Sequence, residues 1–71
     1  MEKYNEILAS LRKAKGATLK QVADAVGVST STIAMYENGS RKPTDDMKVK
    51  LANYYKRSVA SIFFATKVHS K

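Results

Sequence analysis

Apolar side chains recur along this chain at spacings of three and four residues, and polar side chains fill the positions between them. Such spacing places the apolar residues on one face of a helix. Three of the stretches are closed by Gly16, Gly27 and Gly39, and glycine readily takes the left-handed conformation in which helices end. The pattern therefore predicts an all-α fold of short helices packed around one core.

The predicted helix starts are marked by residues that cap helices. The first helix is predicted over residues 4–14 and ends in a basic turn, which suits the carbonyl end of the helix dipole. The second begins with a capping box, in which Thr18 and Gln21 each bond through the side chain to the other's backbone amide. The other predicted N-caps are Ser29 or Thr30 for the third helix, Thr44 for the fourth and Ser58 for a short fifth.

The length of the chain suits one domain. A chain of 71 residues buries only about 60% of the surface that its unfolded form exposes. Without cysteine it has no disulfide framework and no cysteine zinc site to stabilise it. We expect residues 1–64 to form a five-helix domain and residues 65–71 to form a tail. The side chains predicted to face the core are Ile7, Leu8, Leu11, Leu19, Val22, Ala23, Val26, Ile33, Tyr36, Met47, Leu51, Ala52, Tyr55, Val59, Ile62 and Phe63.

The charge of the chain narrows the range of partners. Thirteen lysines and arginines against 6 acidic residues give a net charge of +7. A surplus of this size on a small domain attracts phosphate polymers or anionic lipid. No apolar stretch is long enough to span a bilayer, and the N-terminal residues lack the apolar core of a signal peptide. We therefore expect a cytoplasmic protein that does not enter membranes.

The residues around Gly27 have the arrangement of a helix-turn-helix corner. Ala23 lies four positions before this glycine, Val28 follows it, and Ile33 and Tyr36 lie six and nine positions after it. Two helices joined through a short turn need a small residue where they approach, a glycine at the corner and apolar side chains between them. Apolar spacing alone would also fit any small helical bundle.

The sequence resembles the helix-turn-helix family of the phage Cro and CI repressors and their bacterial relatives. The resemblance covers roughly residues 7–64, and two blocks after the Gly27 corner make it specific: Tyr36-Glu37-Asn38-Gly39 and Arg41-Lys42-Pro43. What the resemblance implies is a compact, lambda-repressor-like domain of five helices. The family also implies that the third helix enters the major groove of duplex DNA.

In this docking mode, the N-terminal part of the third helix contacts base edges. The predicted base contacts are Thr30, Ser31, Ala34 and Met35. The family often has a glutamine where Thr30 stands, and glutamine can hold adenine with two hydrogen bonds, whereas threonine offers one hydroxyl and a methyl group. We therefore expect modest direct readout and a larger share for apolar contacts and DNA shape. Alternatively, Thr30 and Ser31 serve only as helix caps, and Ala34 is a small residue without a role in base contact.

Affinity is expected to come from phosphate contacts, which position a protein on DNA without reading its sequence. The predicted phosphate contacts are Thr18, Lys20, Gln21, Thr32, Asn38, Arg41 and Lys42. The resemblance supports this role for Asn38 and Arg41, whereas Lys20 and Lys42 could instead be solvated charges. Glu37 is expected to pair with Arg12 or another cation of the first helix, which would fix the third helix against the first.

Two lysines depart from the pattern of the family. Lys48 stands where relatives usually bury an aliphatic residue, so either Met47 takes over that site or the register of the fourth helix shifts. Lys56 stands where a glycine commonly ends the fourth helix, which predicts a less sharp corner.

No residue pattern indicates catalysis. His69 is the only histidine and lies in a polar tail, without the cysteine or clustered acids that a metal site needs. Asp45 and Asp46 are adjacent, and the dipole of the fourth helix explains them. We expect no enzymatic activity, no metal, no cofactor and no small-molecule ligand.

Three functional hypotheses follow. The first is a repressor that binds a near-palindromic duplex DNA operator as a homodimer, with two recognition helices about 34 Å apart. The second is an antitoxin that represses its own operon through the same helix-turn-helix while masking a toxin with its tail. The third is a helical adaptor or basic membrane-surface protein that kept the fold and lost DNA binding. The predicted dimer surface consists of Ile62, Phe63, Phe64 and Val68.

Overall fold

The computed structural model describes residues 3–64, which form five helices. These are α1 (Tyr4–Lys15), α2 (Leu19–Val26), α3 (Thr30–Asn38), α4 (Asp45–Tyr55) and α5 (Val59–Phe63). The all-α prediction is confirmed, and the first helix runs one residue further than predicted. The predicted tail over residues 65–71, with Val68 and His69, lies outside the described residues. Within residues 3–64, every helix is too short or too polar to cross a membrane.

Hydroxyl side chains cap the starts of α2 to α5. The Thr18 hydroxyl accepts a hydrogen bond from the Gln21 N–H at 3.0 Å, and Oε1 of Gln21 accepts one from the Thr18 N–H at 2.8 Å. Ser29, rather than Thr30, caps α3, because its hydroxyl accepts a hydrogen bond from the Thr32 N–H at 3.1 Å. The caps of α4 and α5 are Thr44 and Ser58, as predicted. Each such cap stabilises its helix by about 1 kcal/mol.

The corner between α2 and α3 forms at Gly27. Its φ of 80° lies in the left-handed region, where a side chain would be strained. The N–H groups of Gly27 and Val28 both donate to the carbonyl of Ala23, at 2.8 and 3.0 Å. These bonds end α2 abruptly, so that α3 begins only a few residues later at Thr30.

The prediction for the end of α4 was wrong, because Lys56 forms a sharp corner without a glycine. Lys56 has a φ of 58° and is the only non-glycine residue of the described range with a positive φ. The Arg57 N–H donates to the carbonyl of Ala52 at 2.9 Å, and the Lys56 N–H donates to that of Asn53 at 3.2 Å. This pair of bonds is the Schellman motif, which satisfies the last carbonyls of a helix. The hydrogen bonds of the helix end therefore hold lysine in a conformation that it does not favour.

One hydrophobic core joins all five helices. Its buried residues are Leu8, Val22, Ala23, Val26, Ile33, Tyr36, Met47, Leu51, Ala52, Tyr55 and Ile62. All of these were predicted to face inward. Five further predicted core residues are only partly buried, and they are Ile7, Leu11, Leu19, Val59 and Phe63. The short helix α5 thus contributes one fully enclosed side chain, Ile62, at the edge of the core.

Met47 takes over the buried site at the start of α4, as one of the two alternatives predicted. Lys48 is partly buried beside it. The ammonium of Lys48 lies 5.7 Å from the ring centroid of Phe63 and 5.6 Å from that of Phe64. An ammonium at this distance is attracted to the face of an aromatic ring. The lysine therefore covers the aromatic end of α5 with its stem and charge.

Candidate nucleic-acid interface

The outer surface of α3 carries the four predicted base-contacting residues. Ile33 and Tyr36 anchor this helix in the core and expose only 2% and 4% of their surface. Thr30 and Ser31 are exposed in its first turn. Ala34 and Met35 are partly buried and still reach the surface. These four side chains are therefore uncharged and present hydroxyl and apolar groups to the surface.

The first turn of α3 is ordered by its own cap. Besides accepting the Thr32 N–H, the Ser29 hydroxyl lies 2.9 Å from the hydroxyl of Thr32. Thr32, a predicted phosphate contact, is partly buried. Its hydroxyl already has the Ser29 hydroxyl as a hydrogen-bond partner in the free protein. Thr30 and Ser31 follow the cap directly and lie at the positive end of the helix dipole.

The start of α2 brings together three predicted phosphate contacts, Thr18, Lys20 and Gln21. All three residues are exposed. Thr18 and Gln21 fix each other in the capping box, which positions them at the helix end. Lys20 pairs with Asp24 at 3.1 Å, and 76% and 67% of the two side chains remain exposed. Such an exposed pair stabilises the fold by at most about 1 kcal/mol, so Lys20 can exchange this partner for another anion at little cost.

The end of α3 and the loop after it hold three further predicted phosphate contacts, Asn38, Arg41 and Lys42. Oδ1 of Asn38 accepts hydrogen bonds from the N–H and the hydroxyl of Ser40, at 2.8 and 2.6 Å. These bonds engage the carbonyl oxygen of the Asn38 amide, and its nitrogen is a hydrogen-bond donor. Arg41 and Lys42 follow with exposed side chains, and the next residue, Pro43, is buried. Two cations therefore project from a loop whose far end is anchored in the fold.

Arg12 and Glu37 form the predicted ion pair, and the structure confirms it. Nε and Nη2 of Arg12 donate to the two carboxylate oxygens of Glu37, at 2.8 and 3.1 Å. A third donor, Nη1, reaches the carbonyl of Ala17 at 3.1 Å, a contact that the sequence pattern did not indicate. The hydrogen bond to Glu37 raises the pKa of Arg12, while burial acts in the opposite direction. The guanidinium thus ties α1 to the last turn of α3 and to the turn before α2.

Contacts from the first turn of α1 to the loop after α3 were not predicted. The Tyr4 hydroxyl donates to the carbonyl of Arg41 at 3.1 Å. A Cβ added to Gly39 would lie 3.5 Å from Cγ of Asn5, so the Asn5 side chain lies beside this glycine with room for about one methyl group between them. Tyr4 and Arg41 are separated by 37 positions in the chain. No local pattern links residues at such a separation.

The predicted dimer surface is only partly accessible in the protomer. Ile62 is a core residue with 1% of its surface exposed, so it presents almost nothing to a partner. Phe63 is partly buried, and its ring centroid lies 5.9 Å from that of Tyr4. Phe64 is 43% exposed. Val68 lies outside the described residues. Among the three residues that the structure describes, Phe64 offers the largest accessible surface.

Comparison with known proteins gives three findings on sequence. The model of the helix-turn-helix family matches residues 8–62. The uncharacterized HTH-type transcriptional regulator YobD of Bacillus subtilis (strain 168) is 40% identical over 63 residues, which make up 89% of this chain and 56% of YobD. The cryptic phage CTXphi transcriptional repressor RstR of Vibrio cholerae is 39% identical over 57 residues, or 80% of this chain and 51% of RstR. The chain thus spans about half the length of the curated relatives it matches.

A solved structure with the same fold is that of the phage P22 c2 repressor, determined in complex with a synthetic operator. The two folds superpose with a TM-score of 0.86 at 19% sequence identity, over 89% of this chain and 96% of the P22 chain. The likeness at this identity concerns the fold, and it confirms the lambda-repressor-like architecture that the sequence predicts.

Proposed function

Because the chain belongs to the helix-turn-helix family of Cro/CI-type transcriptional regulators, we propose that it represses transcription by inserting α3 into the major groove of duplex DNA. The observation that carries this proposal is the surface of α3. Thr30 and Ser31 are exposed in its first turn, and the loop that follows its last turn presents Arg41 and Lys42. The uncharged side chains of the helix can contact base edges in the groove, and the cations beside it can contact the phosphates that border the groove.

The roles of the individual residues follow from their chemistry. Thr30 and Ser31 contact base edges through single hydroxyls, and Ala34 and Met35 contact the methyl groups of thymine. No bidentate pair with a base is available to these four side chains. Sequence preference therefore depends strongly on DNA shape and deformability.

The phosphate contacts form two groups in the chain, one at the start of α2 and one in α3 and the loop after it. Thr18, Lys20 and Gln21 use the amide end of α2, where the helix dipole favours an anion. The second group comprises Thr32, Asn38, Arg41 and Lys42. These contacts supply most of the affinity, because each neutralised phosphate releases counterions.

Repression, rather than another use of the fold, is supported by the proteins that resemble this chain. RstR is named as a phage transcriptional repressor, and the P22 c2 repressor was solved with operator DNA. The antitoxin hypothesis gains no comparable support from these relatives. We further propose that the protein acts as a homodimer on a near-palindromic operator, since two copies of α3 would then reach successive major grooves.

The test is a selection of bound duplexes from random DNA, followed by affinity measurements on the selected site over a range of salt concentrations. We expect log affinity to fall linearly with log salt, by about 0.9 for each phosphate neutralised. Ser31→Gln should change the selected sequence and leave the salt dependence unchanged, because Ser31 contacts bases only. Absence of salt-dependent binding, together with unshifted backbone amide resonances over residues 29–42 on addition of duplex, would overturn the proposal.

A further inference from the structure

We propose that the first turn of α1 is a positioning device for the DNA backbone contacts, in which Tyr4 and Asn5 hold the loop over residues 39–43 in its binding conformation. This inference rests on the proposed function, because it assumes that Arg41 and Lys42 contact phosphate. It adds two residues that do not themselves touch DNA. They act by ordering the backbone from which the two cations project.

The backbone of Arg41 is held on both sides. Its N–H donates to the carbonyl of Met35 at 3.3 Å, beside the Ser40 N–H, which donates to the same carbonyl at 3.1 Å. Its own carbonyl accepts the hydrogen bond from the Tyr4 hydroxyl at 3.1 Å. The side chain of Arg41 remains exposed. The peptide groups on either side of this α-carbon are thus fixed while the guanidinium is available to a ligand.

The side chain that supplies the hydroxyl is itself well supported. Tyr4 is partly buried, and its ring lies against Phe63 with a centroid distance of 5.9 Å. Aromatic pairs at this distance attract each other. Packing against Phe63 of α5 therefore orients the Tyr4 ring, and this orientation favours the hydrogen bond from its hydroxyl to the carbonyl of Arg41.

Asn5 lies beside the start of the same loop. Its Cγ is 3.5 Å from the position that a Cβ of Gly39 would occupy, and Gly39 ends α3 with a φ of 83°. Pro43, at the other end of the loop, is buried. The first turn of α1 thus lies beside residue 39 and bonds to residue 41, while residue 43 is anchored in the fold. The loop is ordered before any DNA arrives.

Such ordering has a consequence for affinity. A loop that is mobile in the free protein must be fixed on binding, and this loss of conformational entropy weakens the complex. The Tyr4 hydroxyl removes part of that loss in advance. Since a single hydrogen bond of this kind changes an equilibrium about fivefold, Tyr4→Phe should weaken binding by up to about fivefold. The salt dependence should stay the same, because Arg41 still reaches its phosphate in the complex.

The experiment compares the full-length protein with Tyr4→Phe, using a mixed-sequence duplex as the probe. Tyr54→Phe is the matched control, because Tyr54 is also partly buried. Its ring packs on Tyr55 and Lys15, neither of which belongs to the loop over residues 39–43. We expect weaker binding only for Tyr4→Phe. Hydrogen exchange of the Ser40 and Arg41 amides in the free protein should also become faster in that variant, while the protein stays folded with a melting temperature lowered by no more than a few degrees.

A combined variant separates positioning from general stabilisation. In a background with both Arg41→Ala and Lys42→Ala, Tyr4→Phe should weaken binding by less than about twofold, because both side chains that it positions are absent. A purely structural role would weaken both backgrounds equally and would overturn the inference. Wild-type affinity in Tyr4→Phe would overturn it as well, while leaving the proposed function intact. If the wild-type protein shows no salt-dependent binding at all, the proposed function and this inference fail together.

Discussion

Arg12 meets the carboxylate of Glu37 side-on, with two donors 2.8 and 3.1 Å from its two oxygens, across 25 positions of sequence. The side chains are only 18% and 11% exposed, so water screens this pair weakly. The bidentate geometry is the strongest form of such a contact. The orientation of α3 relative to α1 is therefore fixed by a directional interaction as well as by apolar packing.

Loss of the Glu37 charge should destabilise the fold. Glu37→Gln leaves the largely enclosed guanidinium of Arg12 without its counter-charge, and we expect the free energy of unfolding to fall by about 2 kcal/mol. Urea denaturation measures this change. Asp24→Asn is the matched control, because it removes the exposed partner of Lys20 and should cost less than about 1 kcal/mol. Equal effects of the two variants would contradict a special role for the enclosed pair.

Arg41→Ala should weaken DNA binding without changing sequence preference. A phosphate contact carries no base information, so the loss should be similar on all duplexes, and the slope of log affinity against log salt should decrease by about 1. Lys50→Ala removes an exposed cation from α4, a helix without proposed contacts, and should leave the slope unchanged. Fluorescence anisotropy at several salt concentrations distinguishes the two variants. An unchanged slope in Arg41→Ala would remove this residue from the interface.

Phe64 should contribute to self-association. A charge at this 43% exposed position would oppose burial of α5 against a second copy, so Phe64→Asp should shift sedimentation toward the monomer. Val49 is the matched control, since it is the other large apolar side chain with high exposure among the described residues, at 49%, and lies on α4. Val49→Asp should leave the association unchanged. The opposite result would move the dimer surface from α5 to α4.

Replacement of Lys56 by glycine should stabilise the protein. The φ of 58° strains any side chain, whereas glycine adopts it freely at the expense of a more disordered unfolded chain. We expect Lys56→Gly to gain about 0.5 to 1 kcal/mol in thermal or urea unfolding. Lys50→Gly, within α4, should instead lose about 1 kcal/mol. A loss in both variants would show that the Lys56 side chain contributes contacts that outweigh its strain.

Stability should decrease at alkaline pH because of Tyr55. Burial raises the pKa of this phenol above its ordinary value of 10.0, and the charge of Glu37 acts in the same direction. Below pH 10 the phenol is protonated in both states. As the pH rises further, it ionises first in the unfolded chain, which favours unfolding. Tyr55→Phe should therefore lose less stability than the wild type as the pH rises above about 10. Urea denaturation of the two proteins at each pH measures the difference.

Helices and their boundaries could be predicted because the information is local. A capping box such as that of Thr18 and Gln21 needs only four consecutive residues, and a glycine such as Gly27 defines a corner from its own conformational freedom. An ion pair of Glu37 with Arg12 or another cation of the first helix could be predicted because the resemblance to the family extends to Glu37, and the structure identifies Arg12 as the partner.

Other features depend on tertiary packing that no local pattern encodes. The hydrogen bond from Tyr4 to Arg41 depends on the packing of the Tyr4 ring against Phe63 of α5. The left-handed Lys56 could not be predicted, since the hydrogen bonds at the end of α4 outweigh the conformational preference of lysine. Partial burial of Phe63 follows from the position of α5 at the margin of the core, where neighbours cover only one side.

The hydroxyl caps of α2 to α5 bear on how fast the chain folds. Each of these helices carries its start signal within its own first turn, so nascent helices can form with nearly correct limits before distant parts of the chain meet. Helical proteins rich in local contacts refold within microseconds to milliseconds. The ion pair between Arg12 and Glu37, which are 25 positions apart in the chain, would then form late in folding, after the helices have packed together.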